Sequence, residues 1–155
     1  MGQSSEPTFV FIKYENRKQM KNSNNKQVLA SYFEAFGRGD MVAVRSHFHP
    51  NCKIVSVREA SRVNGQLHGS YQGLEEAETF LGNIVSLFDT QSFEVKSLME
   101  AEENVVYAHG SFVHKVKAKG NMFESDWVQR CVIADGKILE YRFYEDSAAY
   151  EIAAH

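Results

Sequence analysis

A carboxylate shares one face of a C-terminal segment with apolar side chains. The stretch GKILEYRFYEDSAA begins at Gly136 and, if it is a strand, places Leu139, Tyr141, Phe143 and Glu145 on the same face. Two interpretations of this face compete. Glu145 lies either in water at the rim of a sheet or in a cavity where a carboxylate moves protons. It is therefore the first candidate for acid–base chemistry.

Two histidines and an arginine are further candidates for polar chemistry in such a cavity. His114 is the inward-facing histidine that we expect to titrate near neutral pH, unless it is an exposed strand residue. Arg58 could form an ion pair with Glu145 or bind an acidic ligand, and the plainer alternative is a salt bridge at the rim. His68 precedes a predicted helix and could cover the pocket.

No spacing in the sequence indicates a metal or an organic cofactor. His47 and His49 flank Phe48, but two ligands at a helix end are too few for a metal site. Cys52 and Cys131 lack metal-ligand spacing, and we expect buried thiols in a reducing compartment. We therefore expect no metal, no cofactor and a cytoplasmic location.

Length and charge narrow the class of protein. A chain of 155 residues is typical of one domain, and a net charge of -3 provides no basic field for nucleic acid. The apolar runs are far shorter than the ~20 residues that span a bilayer, and the N-terminal residues lack the apolar core of a signal peptide. The expected partner is a small molecule, with neither nucleic acid nor membrane involved.

Helices precede strands along the chain. Residues 1–24 are predicted to be an extension in which TFVFIKYE could form a short strand, and residues 25–155 form the domain. Apolar spacing predicts one helix from residue 25, a second after an N-cap at Asp40, and a third over 74–88. Strands are predicted at these segments: 52–58, 92–100, 104–118, 123–134 and 138–146.

This order of elements predicts an α+β fold. Turn residues at 104, 120–121 and 135–136 make the later strands antiparallel neighbours. Three helices against one face of a curved, mostly antiparallel sheet form a cone with a pocket inside.

Alternation assigns side chains to the two faces of this sheet. In the strand over 123–134 the uncharged set, with Trp127 and Gln129, faces inward, so Asp126 and Arg130 face outward. Phe112 and His114 fall on the smaller and less charged set of their strand, which we place inward. The outer face carries apolar residues that predict a homodimer interface, namely Val128, Val132, Ile138 and Tyr144.

Three longer motifs resemble a known family. YFEAFGRGDMVAVRSHFHPN, LHGSYQGLEEAETFL and VIADGKILEYRFYED are similar to the SnoaL-like branch of the nuclear transport factor 2-like superfamily, which includes polyketide cyclases, ketosteroid isomerase and limonene epoxide hydrolase. The resemblance implies a bent sheet around three helices with a deep pocket, and it places Ser56 and Arg58 inward. Alternation alone leaves that strand undecided.

This sequence lacks the catalytic carboxylates of the two well-known enzymes of the superfamily, ketosteroid isomerase and limonene epoxide hydrolase. Tyr32 falls where ketosteroid isomerase keeps its oxyanion-hole tyrosine, but the general base and the protonated aspartate of that enzyme fall at Ser56 and Gln129. The Asp-Arg-Asp network of limonene epoxide hydrolase falls at Phe112, Gly110 and Phe143. Both sets of catalytic carboxylates are absent.

These observations predict a site and a choice of functions. The predicted catalytic residues are Tyr32, Glu145 and His114, with Glu145 at the cavity mouth, one layer beyond Phe143 and close to Arg58 or His114. The predicted ligand-binding residues are Ser56, Arg58, Phe112, Trp127, Gln129, Tyr141 and Phe143. The predicted function is that of an isomerase, cyclase or hydrolase acting on a small, largely apolar molecule, cyclic or acyclic. The alternatives are a carrier or sensor and an interaction module with a vestigial pocket.

Overall fold

The computed structural model describes Thr8–Phe11 and residues 24–155. Most of the predicted extension lies outside the described residues, and its described part is a strand, β1. The four helices are α1 (Asn24–Gly37), α2 (Met41–Ser46), α3 (Gly73–Leu87) and α4 (Ser147–Ala154). None of the described helices is long and apolar enough to cross a bilayer.

Caps and turns fix the helix boundaries. Gly39 has a left-handed φ of 69°, and the Asp40 carboxylate then accepts a hydrogen bond from the Ala43 N–H at 3.1 Å, which starts α2 as the sequence predicts. The C-terminal helix α4 is an addition to the three predicted helices. Asp146 caps it in the same way, because its carboxylate accepts a hydrogen bond from the Ala149 N–H at 3.0 Å.

One seven-stranded sheet contains every described strand. They are β1 (Thr8–Phe11), β2 (Phe48–Ser56), β3 (Gly69–Gln72), β4 (Phe88–Glu100), β5 (Val105–Val116), β6 (Met122–Ala134) and β7 (Lys137–Glu145). The order is β1-β4-β5-β6-β7-β2-β3, with β1/β4 and β2/β7 parallel and the other pairs antiparallel. Although β2 and β4 are far apart in this order, both contact α3. The sheet therefore wraps around the helices, and the predicted α+β cone is confirmed.

The inner face of the sheet follows the predicted alternation in β5 and β6. The buried residues of β6 include Trp127 and Gln129, and those of β5 include Phe112 and His114. Gly110 lies opposite Trp127 in the paired strand. A Cβ at Gly110 would lie 1.8 Å from the Glu94 carbonyl oxygen and 2.6 Å from the Trp127 ring, so only glycine allows the indole to pack here.

The start of β7 differs from the predicted alternation. The pairing with β6 shifts register between Val132 and Ile133, and Ile138 is completely buried while Leu139 is only partly buried. The prediction that Ile138 faces outward is therefore wrong, because the bulge moves it to the core side. The apolar residues that the outer face does expose include Tyr107, Val128 and Tyr144.

The end of β2 corrects the prediction for Arg58. The strand ends at Ser56, and Val57 has a φ of 65°, a conformation that costs a β-branched residue free energy. This turn breaks the alternation, so Ser56 is buried and Arg58 is exposed. The inward position that the resemblance implies for Arg58 is wrong for that reason.

Candidate functional site

A small pocket lies inside the cone, and we call it the inner pocket. The centre of a water molecule can reach about 40 Å³ of it, room for roughly three waters at ~10–15 Å³ each. Most of its walls are aromatic. The predicted site residues among its walls are Tyr32, Ser56, Phe112, His114, Gln129, Tyr141, Phe143 and Glu145.

Aromatic rings hold these walls together. Phe143 stacks nearly parallel to Tyr141 at a centroid distance of 6.3 Å and to Phe112 at 6.5 Å. Phe80, on α3, meets Tyr141 edge-on at 5.4 Å. Because buried aromatic pairs of this kind restrict one another's rotamers, the walls pack closely around a small free space.

Two tyrosine hydroxyls face each other within these walls. Tyr32, on α1, and Tyr141, on β7, interact through their hydroxyl groups, and both side chains are buried. Burial raises the pKa of each hydroxyl well above its ordinary value, so both stay protonated. The pair can therefore donate a hydrogen bond to an oxygen in the pocket.

Gln129 supplies a buried acceptor without a partner. Its side chain is completely buried, and its amide nitrogen contacts the Cys131 sulfur at 3.4 Å. The Oε1 atom has no hydrogen-bond partner among the described residues. A buried amide oxygen left unpaired costs free energy, which a hydrogen-bond donor on a ligand would recover.

Glu145 pairs with a histidine that the sequence places in a loop. The His68 Nε2 and Glu145 Oε1 atoms lie 3.3 Å apart, and the two side chains are only 8% and 4% exposed. The second carboxylate oxygen, Oε2, has no hydrogen-bond partner among residues 24–155. The predicted partners Arg58 and His114 are wrong, because Arg58 is exposed beyond the Val57 turn and His114 bonds elsewhere.

The loop that carries His68 is held on both sides. The Tyr71 hydroxyl donates to the Leu67 carbonyl at 2.7 Å, and the Arg62 Nε–H donates to the Ser70 carbonyl at 2.9 Å. The ring of Tyr150, on α4, lies 4.4 Å from the imidazole of His68. His68 is thus fixed in place beside Glu145.

Glu145 lies where the inner pocket meets a second, open pocket. It lines the inner pocket, whereas its partner His68 lines the other one. Strand pairing places Phe143 opposite Gln129 and Glu145 opposite Trp127, so the carboxylate is one layer beyond Phe143, as predicted. Trp127 is directly paired with Glu145 and lies in the same layer of the sheet.

His114 does not titrate near neutral pH, which corrects the expectation from the sequence. Burial lowers its pKa to about 3, because no acid compensates for the lost hydration of the charged imidazole. Its Nδ1 lies 2.9 Å from the Thr90 hydroxyl, and its ring stacks 4.6 Å from Phe88 and 4.1 Å from Phe112. His114 is a neutral wall residue, not a proton carrier at pH 7.

Trp127 is buried behind the pocket wall and does not line the inner pocket. Its indole stacks 4.9 Å from Phe93 and 5.4 Å from Phe143, both of which do line it. Trp127 therefore supports the walls, and the ligand contact predicted for it is indirect.

The described residues contain no group of three His, Cys, Asp or Glu side chains that could hold a metal. His47 Nδ1 lies 2.7 Å from the Ala43 carbonyl oxygen, and His49 pairs with Asp135 at 3.4 Å. These two histidines therefore have structural partners.

Comparison with models of known protein families assigns the chain to one of them. The model of the SnoaL-like domain matches residues 29–141, about three quarters of the sequence. The chain belongs to the SnoaL-like domain family. No curated protein matches its sequence significantly.

Solved structures share the fold of this SnoaL-like domain at low sequence identity. An NTF2-like protein from Burkholderia thailandensis is 18% identical with a TM-score of 0.73, over 86% of this chain and 99% of that one. A proposed SnoaL-like polyketide cyclase from a Jannaschia species is 17% identical with a TM-score of 0.69, over 84% and 90%. TerC, co-crystallised with polyporic acid, is 18% identical with a TM-score of 0.70, over 84% and 98%.

The family match covers most of the pocket walls but stops before Phe143 and Glu145. Glu145 and Tyr150 lie beyond the matched residues of the SnoaL-like domain, whereas His68 lies within them. Sequence reasoning finds His68 as a possible cover of the pocket but misses its pairing with Glu145, and it misses Tyr150 completely. The only sequence signal for Tyr150 is Asp146 three residues before Ala149, the spacing of an N-cap and the start of α4.

Proposed function

We propose that this SnoaL-like domain binds a small, largely apolar ring compound in the inner pocket and removes a proton from it, as an isomerase or a cyclase does. One observation carries the proposal. The Glu145 carboxylate is almost completely buried at an aromatic pocket, and its Oε2 atom has no hydrogen-bond partner in the part of the chain that the structure describes.

The residues take complementary roles in this reaction. Glu145 Oε2 accepts a proton from an acidic C–H of the substrate, and His68 positions the carboxylate through Oε1. The enolate that results places negative charge on the substrate oxygen. The paired hydroxyls of Tyr32 and Tyr141 are the donors in the pocket that can stabilise this charge.

The unpaired atoms of the pocket also favour a substrate that carries a hydroxyl group. Gln129 Oε1 and Glu145 Oε2 are both acceptors, so a ligand satisfies them with hydrogen-bond donors. The fold neighbours support a ring compound of this kind, since one is a proposed polyketide cyclase and TerC was crystallised with polyporic acid.

A non-catalytic carrier or sensor is the second candidate. It is favoured by Ser56 and Gln129, which stand where ketosteroid isomerase keeps its catalytic carboxylates. For either function a ring enters the small inner pocket only if wall side chains move. A carrier needs the same aromatic walls but no proton transfer, so an assay of proton transfer distinguishes the two functions.

Deuterium exchange of a generic C–H acid tests the proposal. We would incubate the protein with β-tetralone in D2O and follow loss of its activated protons by NMR. Wild-type protein should exchange them faster than buffer, and Glu145→Gln should lose the acceleration. Glu140→Gln is the matched control, since Glu140 lies on the outer side of the same strand and pairs with Arg130. Binding of β-tetralone without faster exchange would favour the carrier.

We also propose a homodimer through the outer face of the sheet. Tyr107, Val128 and Tyr144 are each 37–43% exposed on that face, which supports such an interface. Light scattering at high micromolar concentration should give twice the monomer mass for wild-type protein and the monomer mass for Val128→Lys.

A further inference from the structure

An open pocket of about 580 Å³ adjoins the inner pocket, and we call it the outer pocket. It lies between the loop after β2 and the helix α4. His68 forms part of its wall while pairing with Glu145, which belongs to the inner pocket. The two pockets are therefore separated by little more than the His68–Glu145 pair.

Arg58 gives the outer pocket a free positive charge. Its side chain is exposed in the pocket wall, and no carboxylate of the described residues lies within ion-pair distance of its guanidinium. The acid in the same wall, Glu151, is already paired with His155 at 3.2 Å. An anionic group that enters the pocket thus meets an unpaired guanidinium.

The position of Arg58 depends on a strained residue. Val57 has a φ of 65° and its N–H donates to the Phe143 carbonyl at 2.9 Å, which ties the turn to a wall strand of the inner pocket. An ordinary extended Val57 would let β2 continue. The turn instead leads Arg58 into the outer pocket, directly after the inner-pocket residue Ser56.

The rest of the wall suits the linking part of a ligand. Val57, Val63 and the ring of Tyr150 provide apolar surface beside Arg58 and His68. A short alkyl chain could therefore run from a ring in the inner pocket, past His68, to the guanidinium.

We propose that the outer pocket binds the carboxylate of a ligand whose ring occupies the inner pocket, with Arg58 as its ion partner. The substrate class is then a ring ketone that carries a hydroxyl group and a short acidic side chain. This inference rests on the proposed function, because it assumes that the inner pocket takes the ring.

Pairs of small probes can test the two pockets separately. We would titrate full-length protein with para-hydroxyphenylpropionate and with its uncharged primary amide. The indole N–H resonance of Trp127 reports occupancy of the inner pocket, since Trp127 is the one tryptophan and stacks on the wall residue Phe143. The acid should bind about three- to tenfold more tightly than the amide, and less so as salt rises.

Variants of two exposed arginines test whether Arg58 causes the tighter binding of the acid. Arg58→Gln should bring the acid down to the affinity of the amide, while Arg58→Lys should retain part of the difference. Arg38→Gln removes the same charge from the turn between α1 and α2, away from both pockets, and should behave as wild type.

Failure of this inference differs from failure of the proposed function. Equal affinity of acid and amide for wild type, or an equal loss in both glutamine variants, would overturn the role of Arg58 and leave the inner-pocket site standing. No shift of the Trp127 resonance with either probe would count against both.

Discussion

Two buried histidines line the cavities of this domain, and their surroundings differ. His68 and His114 are 7% and 6% exposed, so burial does not distinguish them. His68 lies beside the Glu145 carboxylate, whereas His114 is stacked between Phe88 and Phe112 with only the Thr90 hydroxyl as a polar partner. The partner, not the depth, decides whether a buried imidazole can take part in proton chemistry.

The comparison extends to the residues around each histidine. The surroundings of His114 continue through Phe112 and Phe93 to the indole of Trp127, an aromatic cluster that packs over Gly110. Around His68, hydrogen bonds of the loop hold the imidazole beside the Glu145 carboxylate, and one oxygen of that carboxylate has no hydrogen-bond partner among the described residues. The first region supplies stability, and the second keeps reactive atoms available at some cost in stability.

Gly110→Ala should have the largest effect, because it breaks the aromatic cluster. The new methyl group would overlap the Glu94 carbonyl oxygen, which is backbone and cannot rotate away. We expect a loss of about 4 kcal/mol or more in the free energy of unfolding, measured by urea denaturation. Gly82→Ala is the control. Gly82 lies inside α3 with nothing within 4 Å of a Cβ, so that change should stabilise the protein by ~0.5–1 kcal/mol.

The pH dependence of the free energy of unfolding should show that His114 is neutral in the folded protein. The unfolded chain binds a proton at His114 near pH 6.5 and the folded chain near pH 3, so the unfolded state is favoured as pH falls between these values. Between pH 7 and pH 3, the free energy of unfolding should therefore fall by about 4 kcal/mol more in wild-type protein than in His114→Phe. Urea denaturation across this range would measure it.

A histidine on the other face of the same strand is the control for that measurement. His109 is exposed on β5, and His109→Phe should keep the wild-type slope. Identical slopes for His114→Phe and wild type would show that His114 does not remain neutral at low pH.

Removing His68 should cost less than either change but should depend on Glu145. In His68→Leu the buried carboxylate loses its neighbour, and we expect about 2–3 kcal/mol of destabilisation at pH 7. Adding Glu145→Met should recover most of that loss, because the pair is then replaced by apolar groups. Strictly additive effects in this double-mutant cycle would mean that the two residues are not coupled.

Glu145→Gln alone should have the smallest effect and the opposite sign. The amide keeps a hydrogen-bonding group beside His68 and removes a buried charge, so stability should stay the same or rise by up to ~1 kcal/mol. A loss of more than 1 kcal/mol in thermal or urea unfolding would instead assign Glu145 a structural role.

The walls of the site are predictable from the sequence because they lie on long antiparallel strands. Alternation places Phe112, Gln129 and Phe143 inward, since one face of such a strand is buried throughout. It fails at Ile138, where a register shift interrupts the period. The inward position that the resemblance implies fails at Arg58, because one left-handed residue ends the strand before it.

The polar partners are not predictable in this way. His68 lies on a loop and Tyr150 lies on a terminal helix. The contact of His68 with Glu145 and its ring contact with Tyr150 depend on how these segments pack. No periodicity encodes such contacts, so the sequence yields the acid without its neighbour.

The parallel pairing of β2 with β7 sets the order in which the protein can fold. Ser56 lies beside Phe143, which is 87 residues later, so this pair forms only after nearly the whole chain has been synthesised. The hairpins of β4, β5 and β6 need no such wait, and their amides should gain protection first in pulsed hydrogen exchange. On the ribosome, the pocket would therefore close last, when its acid-bearing strand emerges.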